Sequence, residues 1–303
     1  MSDYDIFCYG MVTPSIVHLL RKDFQYPRPN EYAEIERSLP SVGGEAVNSA
    51  IILSKLGIKT RLDGNWLNPG RADQVRQLLE PFDIDISRLT EKNGYGTEEI
   101  VITDINSRTV FGNYAAFHSG ERQWNTPRES DIRDATLIVL DPYFRQESLL
   151  VAEICANHKK SFVTLDCRYD SPLAQQAEAV IISHELRNEA YPNSNMTDIF
   201  KKYQENCRGL IIFTFGSNAL WVARQGQPLH EFKPVQITPV DTTGAGDAFR
   251  GGIAYGLFKG WDDAKTVKFA CAVSACVCLT IPHTLNAPDL NEILEFMETY
   301  QQE

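Results

Sequence analysis

Asp241-Thr242-Thr243-Gly244-Ala245-Gly246-Asp247-Ala248-Phe249, running on into Arg250-Gly251-Gly252, decides how the rest of the chain is read. An extended run containing a proline, 235–240, precedes it, and a long apolar segment at helical spacing follows. That order predicts a helix starting at 244–247, with Thr242 or Thr243 as its cap. A helix start presents N–H groups that lack intrahelical partners, together with the positive end of the dipole, so it can hold an anion. Gly244 and Gly246 allow a phosphate to come close to the backbone, and Asp247 in the first turn points at the same spot. Anion donors beside one carboxylate suit phosphoryl transfer to a hydroxyl. A Gly-Ala-Gly-Asp by itself also fits a turn followed by a dipole-compensating carboxylate, so the remaining sequence has to discriminate.

The chain of 303 residues is long enough to bury a full core as one large α/β domain, 1–303, with a small appendage. Its net charge is 29 − 40 = −11, and no basic stretch carries interleaved aromatics. Nucleic acid and anionic membrane are therefore poor partners, whereas a local anion site can still hold a nucleotide. The seven cysteines (Cys8, Cys155, Cys167, Cys207, Cys271, Cys276, Cys278) are odd in number and mostly embedded in apolar runs. They read as reduced core thiols, since Cys276-Val277-Cys278 lacks the further ligands of a zinc site. Asp3 and Asp5, with no basic leader, argue against a signal peptide. The uncharged run 269–281 is shorter than the roughly 20 residues a bilayer span needs. A cytoplasmic protein is expected.

Along the chain, Asp5–Val12 predicts a buried strand and Glu31–Leu39 a strand with one exposed face. Gly43-Gly44 then opens a buried helix through Asn48 and Leu56, stopped by Gly57. Thr97–Phe117 holds apolar pairs around a polar turn at Asp104–Arg108, the pattern of a β-hairpin. Strand and helix then alternate through Thr136–Asp141, Gln146–His158, Ser161–Asp166, Ala179–Ser183, Thr197–Asn206 and Gly209–Phe215. Such a rhythm predicts a mainly parallel sheet with helices on both faces. Ala219–Ala223 and His230–Phe232 follow as antiparallel edge strands, and 244–260, 262–279 and 288–300 as helices. Two β-like pieces, 13–41 and 95–118, interrupt the rhythm and are expected to pair as a small sheet over the site. A cover of that kind excludes water and protects a phosphoryl group from hydrolysis.

The string 241–252 resembles the C-terminal signature of the ribokinase-like (PfkB) carbohydrate kinases. Gly43, Gly44 and Asn48, with Leu56-Gly57 behind them, resemble the N-terminal signature of the same family, in the family's order. Phe213-Thr214-Phe215-Gly216-Ser217-Asn218-Ala219 resembles its nucleotide-contacting segment, with Ala219 where glycine is more usual. The resemblance covers the whole chain and implies a three-layer α/β sandwich with a mostly parallel sheet and a small β lid. It implies ATP with Mg²⁺ as the phosphoryl donor and a sugar-like acceptor. Asp247 would be the general base, and the amides of Gly244, Ala245 and Gly246 would stabilise the transferring group. Gly43, Gly44 and Asn48 would hold the acceptor, and Thr214, Gly216 and Ser217 the nucleotide. Asp241 and the Thr243 carbonyl would hold a monovalent cation, K⁺. Separately from the resemblance, lid strands with one apolar face are able to pair between subunits, which fits a homodimer.

Two positions depart from the family pattern. Ser15 stands where an aspartate usually holds acceptor hydroxyls, and a hydroxyl binds more weakly than a carboxylate. Glu45 and Asp141 are candidates to supply that grip. At Ser183-His184-Glu185 an Asn-x-x-Glu is only partly present, with Glu189 as a substitute. No Walker A sequence, Gly-rich protein-kinase loop or complete dinucleotide fingerprint occurs. The alternatives are a nucleoside kinase of the same fold and a non-catalytic sugar-sensing regulator.

Overall fold

The computed structural model describes residues 3–104 and 108–300. The chain begins β1 (Ile6–Gly10), β2 (Thr13–Leu20), β3 (Ile35–Gly43), α1 (Glu45–Lys55), β4 (Thr60–Gly64), α2 (Pro69–Leu79) and β5 (Ile84–Asp85). It continues with β6 (Glu99–Thr103), β7 (Arg108–Gly112), α3 (Tyr114–Ser119), α4 (Glu129–Asp134), β8 (Leu137–Leu140), α5 (Gln146–His158) and β9 (Ser161–Leu165). Next come α6 (Pro172–Gln176), β10 (Ala179–Ile182), α7 (His184–Ala190), α8 (Met196–Asn206), β11 (Leu210–Phe213), β12 (Leu220–Ala223) and β13 (His230–Phe232). The C-terminal part is helical: α9 (Ala245–Phe258), α10 (Asp263–Cys278) and α11 (Leu290–Tyr300).

The main sheet has the order β13-β12-β11-β10-β9-β8-β1-β4-β5. The seven strands β5, β4, β1, β8, β9, β10 and β11 run parallel, and β12 and β13 close the edge antiparallel. Alternate residues of each strand serve opposite faces. Ile6 and Cys8 join a core with Val47, Ile51, Ile253 and Val273 of α1, α9 and α10. Phe7 and Tyr9 join another with Val151, Cys155, Ile199 and Phe200 of α5 and α8. This is the expected α/β fold with a mostly parallel sheet between helical layers.

A second sheet, β3-β2-β6-β7, is built from both interrupting pieces. β2 pairs antiparallel with β3 and parallel with β6, and β6 pairs antiparallel with β7. The hairpin's strands are as expected; its turn residues 105–107 lie outside the described residues. The strand expected at 31–39 runs instead over Ile35–Gly43. It accommodates Pro40 because β3 is an edge of its sheet, where a residue without an N–H costs no ladder bond. The region after β1 also holds a strand that sequence patterning did not separate, β2.

Candidate active site

α9 starts differently from its sequence expectation. Its N-cap is Gly244, in the left-handed region at φ 70°, rather than Thr242 or Thr243. The Thr243 hydroxyl instead donates to Asp241 Oδ1 at 2.7 Å, and its N–H donates to the same oxygen at 2.9 Å. Asp241 therefore shapes the loop from within, and its Oδ2 is buried without a hydrogen-bond partner among the described residues. The Ala245 N–H, expected among the anion donors, turns back to the Thr242 carbonyl at 3.3 Å. Helix geometry leaves the Gly246 and Asp247 N–H groups without an intrahelical acceptor, and the space beside Gly246 Cα is open for 4 Å. This end of α9 suits a phosphate.

Small residues of α9 bring the rest of the site to it. A Cβ on Gly251 would stand 2.7 Å from Ile52 of α1, and one on Gly252 would stand 2.6 Å from Ala270 of α10. The resulting close packing of α1 on α9 puts Asn48 Nδ2 2.8 Å from Asp247 Oδ2, to which it donates. Thr284 Oγ1 donates to Asn48 Oδ1 at 2.7 Å and lies 3.1 Å from His283 Nδ1. With its proton on Asn48, Thr284 accepts from His283 Nδ1–H, which leaves Nε2 to accept from Ser41 Oγ at 3.3 Å. Every donor in this row points toward Asp247. His283 is fully buried, and burial pushes its imidazole down to about 4. It is thus neutral, as the row requires.

Asp247 is half-buried, and burial pushes its carboxyl up to about 6 against the opposing pull of Arg250 and the Asn48 hydrogen bond. A base of that strength is ionised at neutral pH yet basic enough to take a proton. Glu45, at the start of α1, is pushed well above the carboxylate range by burial and then by Asp141 and Asp247. Both acids line a cavity of about 410 Å³ with Gly43, Gly44, Asn48, Thr243 and Gly244. The second sheet supplies its other wall through Thr13, Glu99, Val101 and Arg108. Arg108 Nη1 donates to the Thr242 carbonyl at 2.6 Å, tying β7 to the anion loop.

Not every sequence candidate converges here. Ser15 faces a neighbouring cavity beside Arg71 and Gln74, and its hydroxyl is buried without a partner among the described residues. Asp141 is fully buried: Oδ1 accepts from Arg250 Nη1 at 2.6 Å, and Oδ2 accepts from the N–H groups of Met11 and Ala46. Its oxygens are spent on the scaffold, so it is no acceptor grip. Thr214, Gly216 and Ser217 follow β11, where Arg187 Nη2 anchors the Thr214 carbonyl at 2.6 Å. Ser183 caps α7 and is bound by Asp166, while Glu185 and Glu189 are exposed on that helix. Glu99, Arg108, Tyr114, His283 and Thr284 were not singled out by the sequence reading. They sit on short, unpatterned elements, and no periodicity marks them.

The chain matches the model of the pfkB family carbohydrate kinases over residues 5–289. It is 28% identical over 251 residues to the fructoselysine 6-kinase of Escherichia coli, covering 80% of this chain and 90% of that one. It is 25% identical over 310 residues to the nucleoside kinase of Methanothermobacter thermautotrophicus, covering 97% and 95%. The solved structure of Arabidopsis thaliana ribokinase with ribose and ATP shares the fold at a TM-score of 0.78 and 14% identity, over 98% and 99% of the two chains. The chain belongs to the pfkB family of carbohydrate kinases.

Proposed function

We propose that the chain transfers the γ-phosphoryl group of ATP to a hydroxyl of a sugar or sugar-like acceptor, with Asp247 as the general base. The observation that carries this is the convergence of Asp247 and Gly244, at the start of α9, with Gly43, Gly44 and Asn48 around one cavity of about 410 Å³. The acceptor oxygen bonds to phosphorus as the bond from phosphorus to the β–γ bridging oxygen breaks, and the hydroxyl proton passes to Asp247. The N–H groups at the start of α9 stabilise charge on the transferring group. Gly43, Gly44 and Asn48 line the acceptor's place, and Thr214, Gly216 and Ser217 serve the nucleotide. ATP brings Mg²⁺ with it, which neutralises phosphate charge. The buried, unpartnered Asp241 Oδ2 fits a monovalent cation such as K⁺, with the Thr243 carbonyl as a second ligand.

The second sheet acts as a lid on one domain, and exposed Ile100 and Phe111, side by side on it, suit a second copy of the chain. No described helix is long and apolar enough to cross a membrane. All seven cysteines are unpaired and buried, which suits the cytoplasm. The deciding experiment is ATP turnover with a panel of sugars, sugar acids, polyols and nucleosides. Turnover of nucleosides alone would replace the sugar reading with a nucleoside kinase. Absence of any turnover, with acceptor binding retained, would leave a sensing protein.

A further inference from the structure

The catalytic cavity contains a carboxylate that the phosphoryl-transfer step does not use. Glu99 opens β6 and stands in register with Ser15 of β2 on one side and Gly112 of β7 on the other. Residues in register across a sheet share a face, so the three compete for the same space. Glycine resolves the competition twice. A Cβ on Gly112 would stand 2.3 Å from the ring of Tyr114, whose hydroxyl hydrogen-bonds Glu99 Oε2. A Cβ on Gly43 would stand 1.9 Å from Glu99 Oε1. The sheet is therefore hollowed on both sides of this one side chain. Burial and the adjacent carboxylate push the Tyr114 phenol upward, so it keeps its proton and donates. Tyr114 holds one carboxylate oxygen and leaves the other over Gly43, in a side chain that lines both this cavity and the neighbouring one beside Ser15. No ion pair among the described residues engages Glu99.

We propose that Glu99, held by Tyr114, is the specificity-determining residue for the acceptor, gripping its hydrogen-bond-donating groups from the lid. The inference rests on the kinase reading above and sharpens it to a class of acceptor. Glu99 and Asp247 line the cavity against one guanidinium among the described residues, Arg108, which is already bound to the Thr242 carbonyl. Such a wall favours a neutral polyhydroxy or an amine-bearing acceptor and disfavours sugar acids and sugar phosphates.

The test compares the unaltered protein with Glu99→Gln, which preserves shape, and with Tyr114→Phe, which removes the clamp. Steady-state kinetics are read for ATP, a neutral polyol, its amino-substituted counterpart and its acid counterpart. In Glu99→Gln the KM for the neutral acceptor should rise about 10-fold, the worth of a hydrogen bond to a charged group, and more for the amino acceptor. The value of kcat and the KM for ATP should change less than about 3-fold, and Tyr114→Phe should shift acceptor KM in the same direction by less. A purely structural Glu99 would instead lower kcat and thermal stability together. Unchanged acceptor KM in both variants, or preferential use of the acid acceptor, overturns the assignment. No turnover by the unaltered protein on any acceptor overturns the kinase reading itself, and this inference with it.

Discussion

The start of α9 and the lid sheet face each other across one cavity, yet they are built on opposite principles. The α9 end is packed into the core: Ala248, Phe249, Arg250, Gly251 and Gly252 are all buried, and its loop is fixed by Asp241 from inside. The lid exposes Ile35, Ile100, Val110 and Phe111 and reaches the body of the protein partly through single contacts such as Arg108 on Thr242. Phosphoryl transfer needs donors and a base held in fixed geometry, whereas an acceptor must enter, be covered and leave. On the proposed function, the reaction would belong to the core-packed wall and selection to the second sheet. Substitutions on the two walls should thus separate in kind.

The largest effect is expected from Arg250→Leu. It strands Asp141 as a buried charge without its ion partner, a loss of about 3–5 kcal/mol that chemical denaturation would measure. If the variant is as stable as the parent, the rigid wall does not depend on that pair. Asp247→Asn comes next: kcat should fall about 10²-fold or more, with the nucleotide Kd nearly unchanged by calorimetry. Turnover at the parental rate would remove Asp247 from the chemistry. Because Asp247 must be ionised to act, kcat/KM should be flat at neutral pH. Below about 6, where its carboxyl is held, kcat/KM should fall about tenfold per pH unit.

A smaller change is expected for Thr284→Val, which keeps shape but no longer orients the Asn48 amide. One hydrogen bond is worth roughly 1 kcal/mol, so kcat should drop about fivefold. Asn48 donation favours ionised Asp247, so weakening it should move the acid limb of the pH profile upward. A drop in rate with an unmoved limb would make Thr284 structural only. Smallest is Arg108→Ala on the lid side, which should raise acceptor KM a few-fold and increase hydrolysis of ATP without acceptor, while leaving stability intact. A large loss of stability there would mean that the lid is as tightly built as the opposite wall.

The same division explains what the sequence revealed. α5 was expected at Gln146–His158 and is found at those bounds, because a helix on one face of a sheet must repeat its apolar residues at helical spacing. Asp247, Asn48 and the glycines around them were legible because they fall in two short strings that resemble the family signatures, and at Gly251 the close approach of Ile52 of α1 gives a physical reason for the glycine. The lid had no such signature. β2 carries Pro14 and β3 carries Pro40, both of which read as breaks until pairing places them near a strand start and on a sheet edge. Nothing in the hairpin's alternation distinguishes Glu99; the space around it comes from Gly43 and Gly112, which lie in other strands. The scaffold role of Asp141, a candidate acceptor grip in the sequence, was not legible because its three partners come from positions 11, 46 and 250.

Those three partners have a consequence for the order of folding. Asp141 is separated from Met11, Ala46 and Arg250 by 130, 95 and 109 residues, so none of its contacts forms locally as the chain collapses. Contacts of such high sequence separation must first overcome the entropy of closing long loops. The carboxylate of Asp141 has all three partners only once the segment after β1, the start of α1 and α9 have met. An N-terminal fragment ending before α9 would lack Arg250, the ion partner of this carboxylate. The joint between the start of α1 and α9 is therefore completed only when parts of the chain on both sides of Asp141 have come together.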